Sequence, residues 1–339
     1  MFNPGTGAWA VSSQVDRKPS DPRQSAQPRG HIKRALRNRL DALAAHAPVE
    51  LVGPRGVGKR TLARHHRHGP IRTAEQRPPA LDAKTHRIRV HPLTVQELGL
   101  TTPRDFDTLL QRGGFPAELW FDRPSSALPG HLIGLFSDLS ALSGPFAADG
   151  ARELWAGLMA SVGRPLSVRA LARALMADER RVSKNVDMLD THHALFRLNP
   201  LPALADGPRF RALKKGQKHY PYDWSQPHHH HGQIEALVGN HLLQWVESGR
   251  DWGERDHSLM YFRDCDQREV DFVVVSGETP TWLIQVDPLA DAPNRDLAYL
   301  ARKFPKAQAW HLSVNGPLTP RTEKGITMAH PLPFLASLT

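Results

Sequence analysis

The chain has 339 residues, of which 40% are hydrophobic and 23% are charged, a composition typical of a globular protein with two or three compact units. No apolar run approaches the roughly 20 residues of a membrane helix, and the single cysteine excludes an intramolecular disulfide, so we expect a cytoplasmic protein. The net charge of +10 favours contact with a polyanion, although arginine-rich usage spread over solvated faces would give the same charge.

The N-terminal part of the chain divides into a tail and a short helix–strand unit. Residues 1–29 are rich in Pro, Ser, Gly and Gln and show neither periodicity nor a signal-peptide pattern, so we predict a disordered tail. From residue 31 to 46, apolar side chains recur at helical spacing and the other face is basic. Residues 49–52, Val-Glu-Leu-Val, predict a short buried strand that ends at a glycine.

A glycine-rich loop with a lysine follows this strand. Residues 53–59 match the pattern G-x-x-x-x-G-K between a predicted strand and a predicted helix, which is the context of a phosphate-binding P-loop. Glycines let backbone N–H groups approach phosphate oxygens, the lysine supplies positive charge, and the helix N-terminus adds its dipole. A glycine-rich turn alone would not explain the lysine. We therefore predict a phosphate or nucleotide site made of Gly53, Pro54, Arg55, Gly56, Val57, Gly58, Lys59, Arg60 and Thr61.

Two departures from the P-loop pattern argue against hydrolysis. After Lys59 comes Arg60 instead of the Ser or Thr that coordinates Mg²⁺, and Thr61 is rotated by about 100° from that position on a helix. Residues 65–84 show no core-forming pattern, so we predict no acidic second strand that would position Mg²⁺. The next strand is expected at residues 87–90. These features predict weak nucleotide binding, little or no hydrolysis and no well-coordinated Mg²⁺.

The middle of the chain contains three short helical patterns, which are Glu153–Val162, Ser167–Met176 and Arg180–Leu189. Their order is typical of a winged-helix module, whose third helix contacts DNA. In this chain Arg180, Arg181 and Lys184 would lie at the start of that helix. A helical packing module with a charged outer face explains the same pattern equally well.

The C-terminal part, from about residue 220, predicts a helix, three strands, a helix and a strand, which is a mixed α/β domain. The chain as a whole is therefore expected to belong to the α/β class. The histidine run at residues 228–231 is expected to be a solvated loop, because a specific metal site needs ligands from separate elements. Cys265 has no His or Cys at ligand spacing, so we predict no nucleophile there.

Eight stretches of the sequence, in order, resemble bacterial and archaeal AAA-type ATP-binding proteins with a C-terminal domain of unknown function. They span most of residues 48–312 and read LVGPRGVGKRTL, HRIRVHPLTVQEL, LLQRGGFPAELW, VGRPLSVRALARAL, RALKKGQKHYPYDWS, IEALVGNHLLQWV, LMYFRDCDQREVDFVV and WLIQVD. The resemblance implies ATP as the ligand and phosphate contact by Gly53, Gly58 and Lys59. The family has an intact ATPase core between the first two stretches. This chain joins them almost directly, which indicates an internal deletion.

The resemblance also implies a restriction-endonuclease-like core in the last domain. Such a core uses a helix Glu, a strand Asp and an E-x-K on the next strand to hold Mg²⁺ and activate water. The corresponding residues here are Glu235, Asp271 and Gln285, and Asp287 takes the place of the lysine. We therefore expect a degenerate nuclease-like fold kept for structure or binding, with no assigned catalytic or metal-binding residue.

These predictions divide the chain into a tail (1–29), a truncated P-loop ATPase-like region (30–145), a winged-helix-like module (150–200) and a nuclease-like α/β domain (218–339). The leading hypothesis is an AAA-type ATP-binding protein with weak or no hydrolysis that associates with DNA through its middle module and basic surface. The alternatives are a non-enzymatic nucleic-acid-binding protein, a degenerate nuclease-like protein, and a decaying gene product that folds only in its C-terminal half.

Overall fold

A computed structural model describes residues 36–64, 71–76, 85–120, 128–143, 148–203, 208, 210, 216–290 and 292–338. The predicted disordered tail, residues 1–29, lies outside the described residues. So does the beginning of the helix predicted at residues 31–46, of which the structure describes α1, Arg37–Ala44. Within the described part of the chain, no helix is both long enough and apolar enough to cross a membrane.

A small parallel sheet forms around the strand that precedes the glycine-rich loop. Its elements in chain order are β1 (Val49–Val52), α2 (Lys59–Arg64), β2 (Ile71–Ala74) and β3 (His86–Arg89). Strand β1 lies in the centre and runs parallel to β2 on one side and to β3 on the other. Its apolar residues are buried, as expected for a central strand of a parallel sheet. The carboxyl ends of the three strands meet at the edge where the glycine-rich loop begins.

Strand β2 corrects the expectation that residues 65–84 contribute no strand. Ile71–Ala74 pairs with β1 along its whole length, from Val49↔Ile71 to Val52↔Ala74. None of its four residues is fully buried, so it carries no hydrophobic pattern, and only the pairing with β1 makes it a strand. Glu75 follows β2 directly, so an acidic residue does lie at the carboxyl end of a strand beside the loop. Residues 65–70 and 77–84 lie outside the described part.

Short helices connect this sheet to the middle of the chain: α3 (Val95–Leu98), α4 (Pro103–Arg112), α5 (Pro116–Trp120) and α6 (Gly130–Ser143). Two of them begin with a capping box, in which a threonine hydroxyl accepts a hydrogen bond from the backbone N–H three residues later. Thr94 caps α3 with Glu97, and Thr102 caps α4 with Asp105. Residues 113–115, Gly-Gly-Phe, separate α4 from α5.

The three helical patterns predicted in the middle of the chain form helices, and a two-stranded antiparallel sheet follows them. The elements are α7 (Ala148–Met159), α8 (Val168–Ala174), α9 (Glu179–Thr191), β4 (Leu195–Leu198) and β5 (Lys218–Pro221). Side chains of Ser167 and Asp178 cap the N-termini of α8 and α9. The pairing of β4 with β5 was not predicted, because the two strands are separated by about twenty residues without periodicity.

The C-terminal part forms a mixed six-stranded sheet with helices packed on it, which confirms the predicted α/β class. The elements are α10 (His230–Asp251), β6 (His257–Arg263), β7 (Glu269–Ser276), β8 (Thr279–Val286), α11 (Arg295–Lys303), β9 (Gln308–Leu312), β10 (Arg321–Glu323), β11 (Ile326–Ala329) and α12 (Pro331–Ala336). The strand order is β10-β11-β9-β8-β7-β6. Strands β6, β7 and β8 are antiparallel, whereas β8, β9 and β11 are parallel. The last three elements were not predicted.

One hydrophobic cluster extends through all these regions, from Leu40 on α1 to Leu335 on α12. Buried hydrogen bonds cross it between distant segments. The indole N–H of Trp224 donates to the carbonyl oxygen of Leu109 at 2.9 Å. The backbone N–H of Val95 donates to Nε2 of His241 at 3.1 Å, and burial lowers the pKa of His241 to about 4, so the ring is neutral. Helix α3, in the segment that follows the parallel sheet, is therefore hydrogen-bonded directly to α10.

Candidate functional site

The glycine-rich loop, residues 53–58, joins β1 to α2 in a conformation that depends on its glycines. Gly53, Gly56 and Gly58 have φ angles of 141°, 81° and 100°, which L side chains rarely adopt. At Gly53 a Cβ would lie 2.3 Å from the carbonyl oxygen of Val90, the residue after β3. The loop passes so close to the end of the neighbouring strand that only glycine fits at its first position.

Lys59, the first residue of α2, folds back against this loop. Its Nζ donates to the carbonyl oxygens of Gly53 and Pro54, both at 2.7 Å, and the residue is 5% exposed. Burial lowers the pKa of Lys59 to about 8; Glu75 counteracts the shift and two neighbouring arginines add to it. The side chain remains mostly charged at neutral pH, so it both closes the loop and places a positive charge against it.

Two arginines lie beside the loop and share one carboxylate. The Arg55 guanidinium is 3.7 Å from Glu75 and the Arg60 guanidinium is 3.9 Å from it. Arg55 also lies against α6, where a Cβ on Gly134 would be 2.8 Å from its Nε. Glu75 therefore keeps both guanidinium groups on the same side of the loop.

A cleft of about 420 Å³ opens at this edge of the sheet. Of the nine residues predicted to contact phosphate, six line it, namely Arg55, Gly56, Gly58, Lys59, Arg60 and Thr61. Val57 instead packs in the hydrophobic core. The lining carries three cations against the carboxylates of Glu75 and Glu118, so its net charge is positive.

The opposite wall of the cleft contains a histidine that the sequence did not indicate. His131 on α6 stacks on Phe115, with ring centroids 3.9 Å apart and an interplanar angle of 4°. Its side chain is 9% exposed, and neither ring nitrogen has a hydrogen-bond partner among the described residues. The nearest carboxylate oxygens, of Asp223 and Glu118, are 3.5 and 3.8 Å away. A buried imidazole in the cleft wall thus has unused hydrogen-bonding capacity.

The three basic residues predicted to contact DNA are exposed on the N-terminal half of α9; they are Arg180, Arg181 and Lys184. The acidic residues on the other half of this helix, Asp187 and Asp190, both form 2.8 Å ion pairs with Arg197 of β4. The two acidic side chains of that half therefore share one cation within the module, which offsets one of their two negative charges. At the N-terminal half the three cations are accompanied by Glu179.

The structure brings together the three residues that the family resemblance singled out in the C-terminal domain. Glu235 lies on α10, Asp271 on β7 and Gln285 on β8, and Nε2 of Gln285 donates to Asp271 at 2.7 Å. Asp287, in the lysine position, lies just after β8, and its carboxylate accepts a hydrogen bond from the N–H of Leu289.

A different lysine occupies the centre of this cluster, which corrects the prediction that the site lacks one. Lys218, on β5, is fully buried, and its Nζ lies 2.7 Å from Glu269, 2.9 Å from Asp271 and 3.3 Å from Glu235. Burial alone would lower the pKa of Lys218, but the carboxylates of Asp271 and Glu235 raise it well above its ordinary value. Lys218 is at the start of the predicted nuclease-like domain, within the family-resembling stretch RALKKGQKHYPYDWS, but it is distant in sequence from the helix–strand–strand motif, and its contact with these carboxylates was not predicted.

Further donors contact the carboxylates of the cluster: the Tyr220 hydroxyl donates to Glu235 (2.6 Å), the Val286 N–H to Asp271 (3.0 Å) and Arg263 to Glu269 (2.6 Å). The side-chain oxygen of Gln285 is buried without a hydrogen-bond partner among the described residues. The described residues contain no group of three or more His, Cys, Asp or Glu side chains arranged to hold a metal ion. An incoming Mg²⁺ would have to displace the Lys218 ammonium. The Mg²⁺ that the resemblance implies therefore does not fit this cluster.

The histidine run at residues 228–231 participates in local structure. The ring of His229 caps α10 by accepting a hydrogen bond from the N–H of Gly232 at 2.8 Å. Nε2 of His231 lies 3.0 Å from the carbonyl oxygen of Val286. Cys265 is exposed in the turn between β6 and β7.

Comparisons with known proteins add no further constraint. No protein-family model matches the chain, and no curated protein and no solved structure matches it either. The cationic cleft beside the glycine-rich loop and the carboxylate cluster around Lys218 are therefore the basis for assigning a function.

Proposed function

We propose that this protein binds nucleotide phosphates at the glycine-rich loop and does not hydrolyse them. The observation that carries the proposal is the loop itself, which leaves the central strand of a parallel sheet with three glycines at positive φ and with the Lys59 ammonium against it. Strand–loop–helix units of this type bind phosphate through backbone N–H groups and a lysine. ATP as the ligand follows from the resemblance to AAA-type ATP-binding proteins, of which this chain would be a relative with a truncated core.

The absence of hydrolysis follows from the residues around the loop. Arg60 occupies the position whose hydroxyl would coordinate Mg²⁺, and a guanidinium has no acceptor for a metal. Glu75 is the acidic residue beside the loop, but it lies between two guanidinium groups. A carboxylate that is shared by two cations is poorly suited to position a metal ion.

Isothermal titration calorimetry with ATP and with ADP tests the binding. We expect binding by the wild-type protein and a loss of more than about tenfold in affinity in Lys59→Ala, because the variant removes the cation that contacts the loop. Arg302→Ala, an exposed basic residue on α11, is the matched control and should leave the affinity unchanged. An unchanged affinity in Lys59→Ala would exclude this loop as the site.

A phosphate-release assay tests the second half of the proposal. We expect no release above background at saturating ATP with Mg²⁺. Hydrolysis that exceeds background and disappears in Lys59→Ala would show that the loop belongs to an active ATPase.

A second candidate function is DNA binding by the middle module. The support is that three helices precede a two-stranded antiparallel sheet, the element order of a winged helix, and that the third helix exposes three cations. The affinity for duplex DNA should fall steeply with salt, and Arg181→Ala and Lys184→Ala should each lower the slope of log K against log[salt] by about 1. Salt-insensitive binding, or none, would contradict this candidate.

For the C-terminal domain we propose a nuclease-like fold that is retained as a scaffold. Glu235, Asp271 and Gln285 converge from one helix and two neighbouring strands, as in the family, but an internal lysine is paired with the carboxylates. DNA cleavage by the purified protein in Mn²⁺ that is lost in Asp271→Asn would refute this interpretation.

A further inference from the structure

We propose that the cleft binds its nucleotide in the metal-free form, with the guanidinium groups of Arg55 and Arg60 acting as the counterions that P-loop proteins otherwise obtain from Mg²⁺. The inference rests on the proposed nucleotide binding and specifies the chemical form of the ligand. It makes Arg60 a determinant of specificity rather than a defect of the motif.

The charge of the cleft favours a free nucleotide over its magnesium complex. Three cations line the cleft, and two of them carry planar guanidinium groups that match phosphate oxygens with paired N–H donors. Mg²⁺ removes two negative charges from a nucleotide and occupies phosphate oxygens that these donors would otherwise bind. Arg60 also lies at the position where the ion would need a protein ligand, so it repels the ion in addition to lacking an acceptor for it.

Glu75 acts as a positioning residue for the two arginines. Its carboxylate oxygens are 3.7 and 3.9 Å from the Arg55 and Arg60 nitrogens, which is beyond the range of a direct hydrogen bond. The carboxylate therefore attracts both guanidinium groups toward the loop through charge, and the Arg60 side chain remains 78% exposed.

His131 lines the cleft on the side of α6. The ring lies next to the loop, since a Cβ on Gly56 would be 3.0 Å from the Cβ of His131. Its two ring nitrogens are enclosed and lie 3.8 and 3.5 Å from carboxylate oxygens of Glu118 and Asp223. The phosphate contacts of the proposal are therefore assigned to Lys59, Arg55 and Arg60.

Calorimetric titration of the full chain with ATP, once in EDTA and once with excess Mg²⁺, tests the proposal. We expect ATP in EDTA to bind at least about fivefold more tightly, because Mg²⁺ and the protein compete for the same phosphate oxygens. Tripolyphosphate in EDTA should bind and compete with ATP, since the contacts are to phosphate. Tighter binding with Mg²⁺ would overturn this inference and leave the proposed nucleotide binding intact, whereas no binding under either condition would overturn both.

Two variants test whether Arg60 causes the preference for metal-free ATP. Arg60→Thr restores the hydroxyl of the ordinary P-loop, and because the Arg60 side chain is 78% exposed, the variant should fold normally. It should bind free ATP several-fold more weakly and lose the preference for the metal-free form. Arg302→Ala, the exposed control, should bind ATP in EDTA as the wild-type protein does. An Arg60→Thr protein that keeps the wild-type preference for metal-free ATP would contradict the role of Arg60.

Discussion

The cationic cleft beside the glycine-rich loop and the carboxylate cluster around Lys218 differ in how completely their polar groups are paired. In the cluster the lysine is fully buried and contacts three carboxylates, which receive further hydrogen bonds from neighbouring donors. In the cleft Arg60 is largely exposed, and a buried histidine has no hydrogen-bond partner among the described residues. A cluster whose buried charges are paired within the protein is suited to a structural role, whereas a cleft with a largely exposed arginine is suited to an anionic ligand.

The two sites also share one feature. In each, a basic side chain lies where the family resemblance would lead one to expect a metal ion: Arg60 beside the loop and Lys218 among the carboxylates. The difference is that Lys218 interacts only within the protein, while Arg60 faces solvent. The comparison predicts that changes in the cluster alter stability and that changes in the cleft alter binding.

The largest effect should come from Lys218→Met. This variant leaves Glu235 and Asp271 buried without their cation, which should lower the free energy of unfolding by about 3–5 kcal/mol. Urea denaturation measures the loss, and Lys306→Met, at an exposed position, is the matched control.

Neutralising the carboxylates together with the lysine separates buried charge from general damage to the fold. Lys218→Met combined with Glu235→Gln and Asp271→Asn removes the uncompensated charge and should recover most of the lost stability. If Lys218→Met were as stable as wild type, Lys218 would not be needed to compensate the buried carboxylates. If Mn²⁺ stabilised the wild-type protein by binding at these carboxylates, the cluster would be open to a metal ion.

Gly53→Ala should affect both binding and stability. Its Cβ would lie 2.3 Å from the Val90 carbonyl oxygen at a φ of 141°, so the loop or β3 has to move. We expect about 1–3 kcal/mol of destabilisation and a loss of nucleotide affinity greater than about tenfold. Gly99→Ala is the matched control, because Gly99 also has positive φ but no atom within 4 Å of the added Cβ. Equal effects of the two substitutions on binding would show that the close approach to Val90 is unimportant.

The pH dependence of binding should reflect Lys59. Its pKa of about 8 means that the ammonium loses its proton as pH rises through 8, which removes positive charge from the loop. Nucleotide affinity measured by calorimetry should therefore be nearly constant from pH 6.5 to 7.5 and fall above pH 8 by up to roughly tenfold per pH unit. Lys59→Arg keeps its charge throughout this range and should remove most of the decline; a wild-type affinity that is flat to pH 9.5 would contradict the lowered pKa.

The smallest effect concerns DNA. Arg197→Ala removes the cation that Asp187 and Asp190 of α9 share. The added net negative charge should repel the DNA phosphates and weaken duplex binding a few-fold, by about 0.5–1 kcal/mol. Fluorescence anisotropy at low salt measures the change, with Arg302→Ala as the control. Unchanged affinity would indicate that DNA does not approach this helix.

Local patterns in the sequence determined much of this protein. Helical periodicity predicted the helices of the middle module, and the spacing of Gly53, Gly58 and Lys59 after a predicted strand indicated the strand–loop–helix unit. The three polar residues of the C-terminal cluster followed from the family resemblance, and the structure brings them together. In each case the signal lies within a few residues along the chain or within a recognisable motif.

Only the tertiary structure decided how the two sites are completed. Strand β2 and Glu75 depend on pairing with β1, the lysine of the carboxylate cluster comes from a strand of another module, and His131 reaches the cleft from α6. Lys218 lies within one of the family-resembling stretches, but nothing in that stretch indicates which carboxylates it contacts. These contacts form across long separations, where packing and the pairing of buried polar groups, rather than local propensity, select the partner.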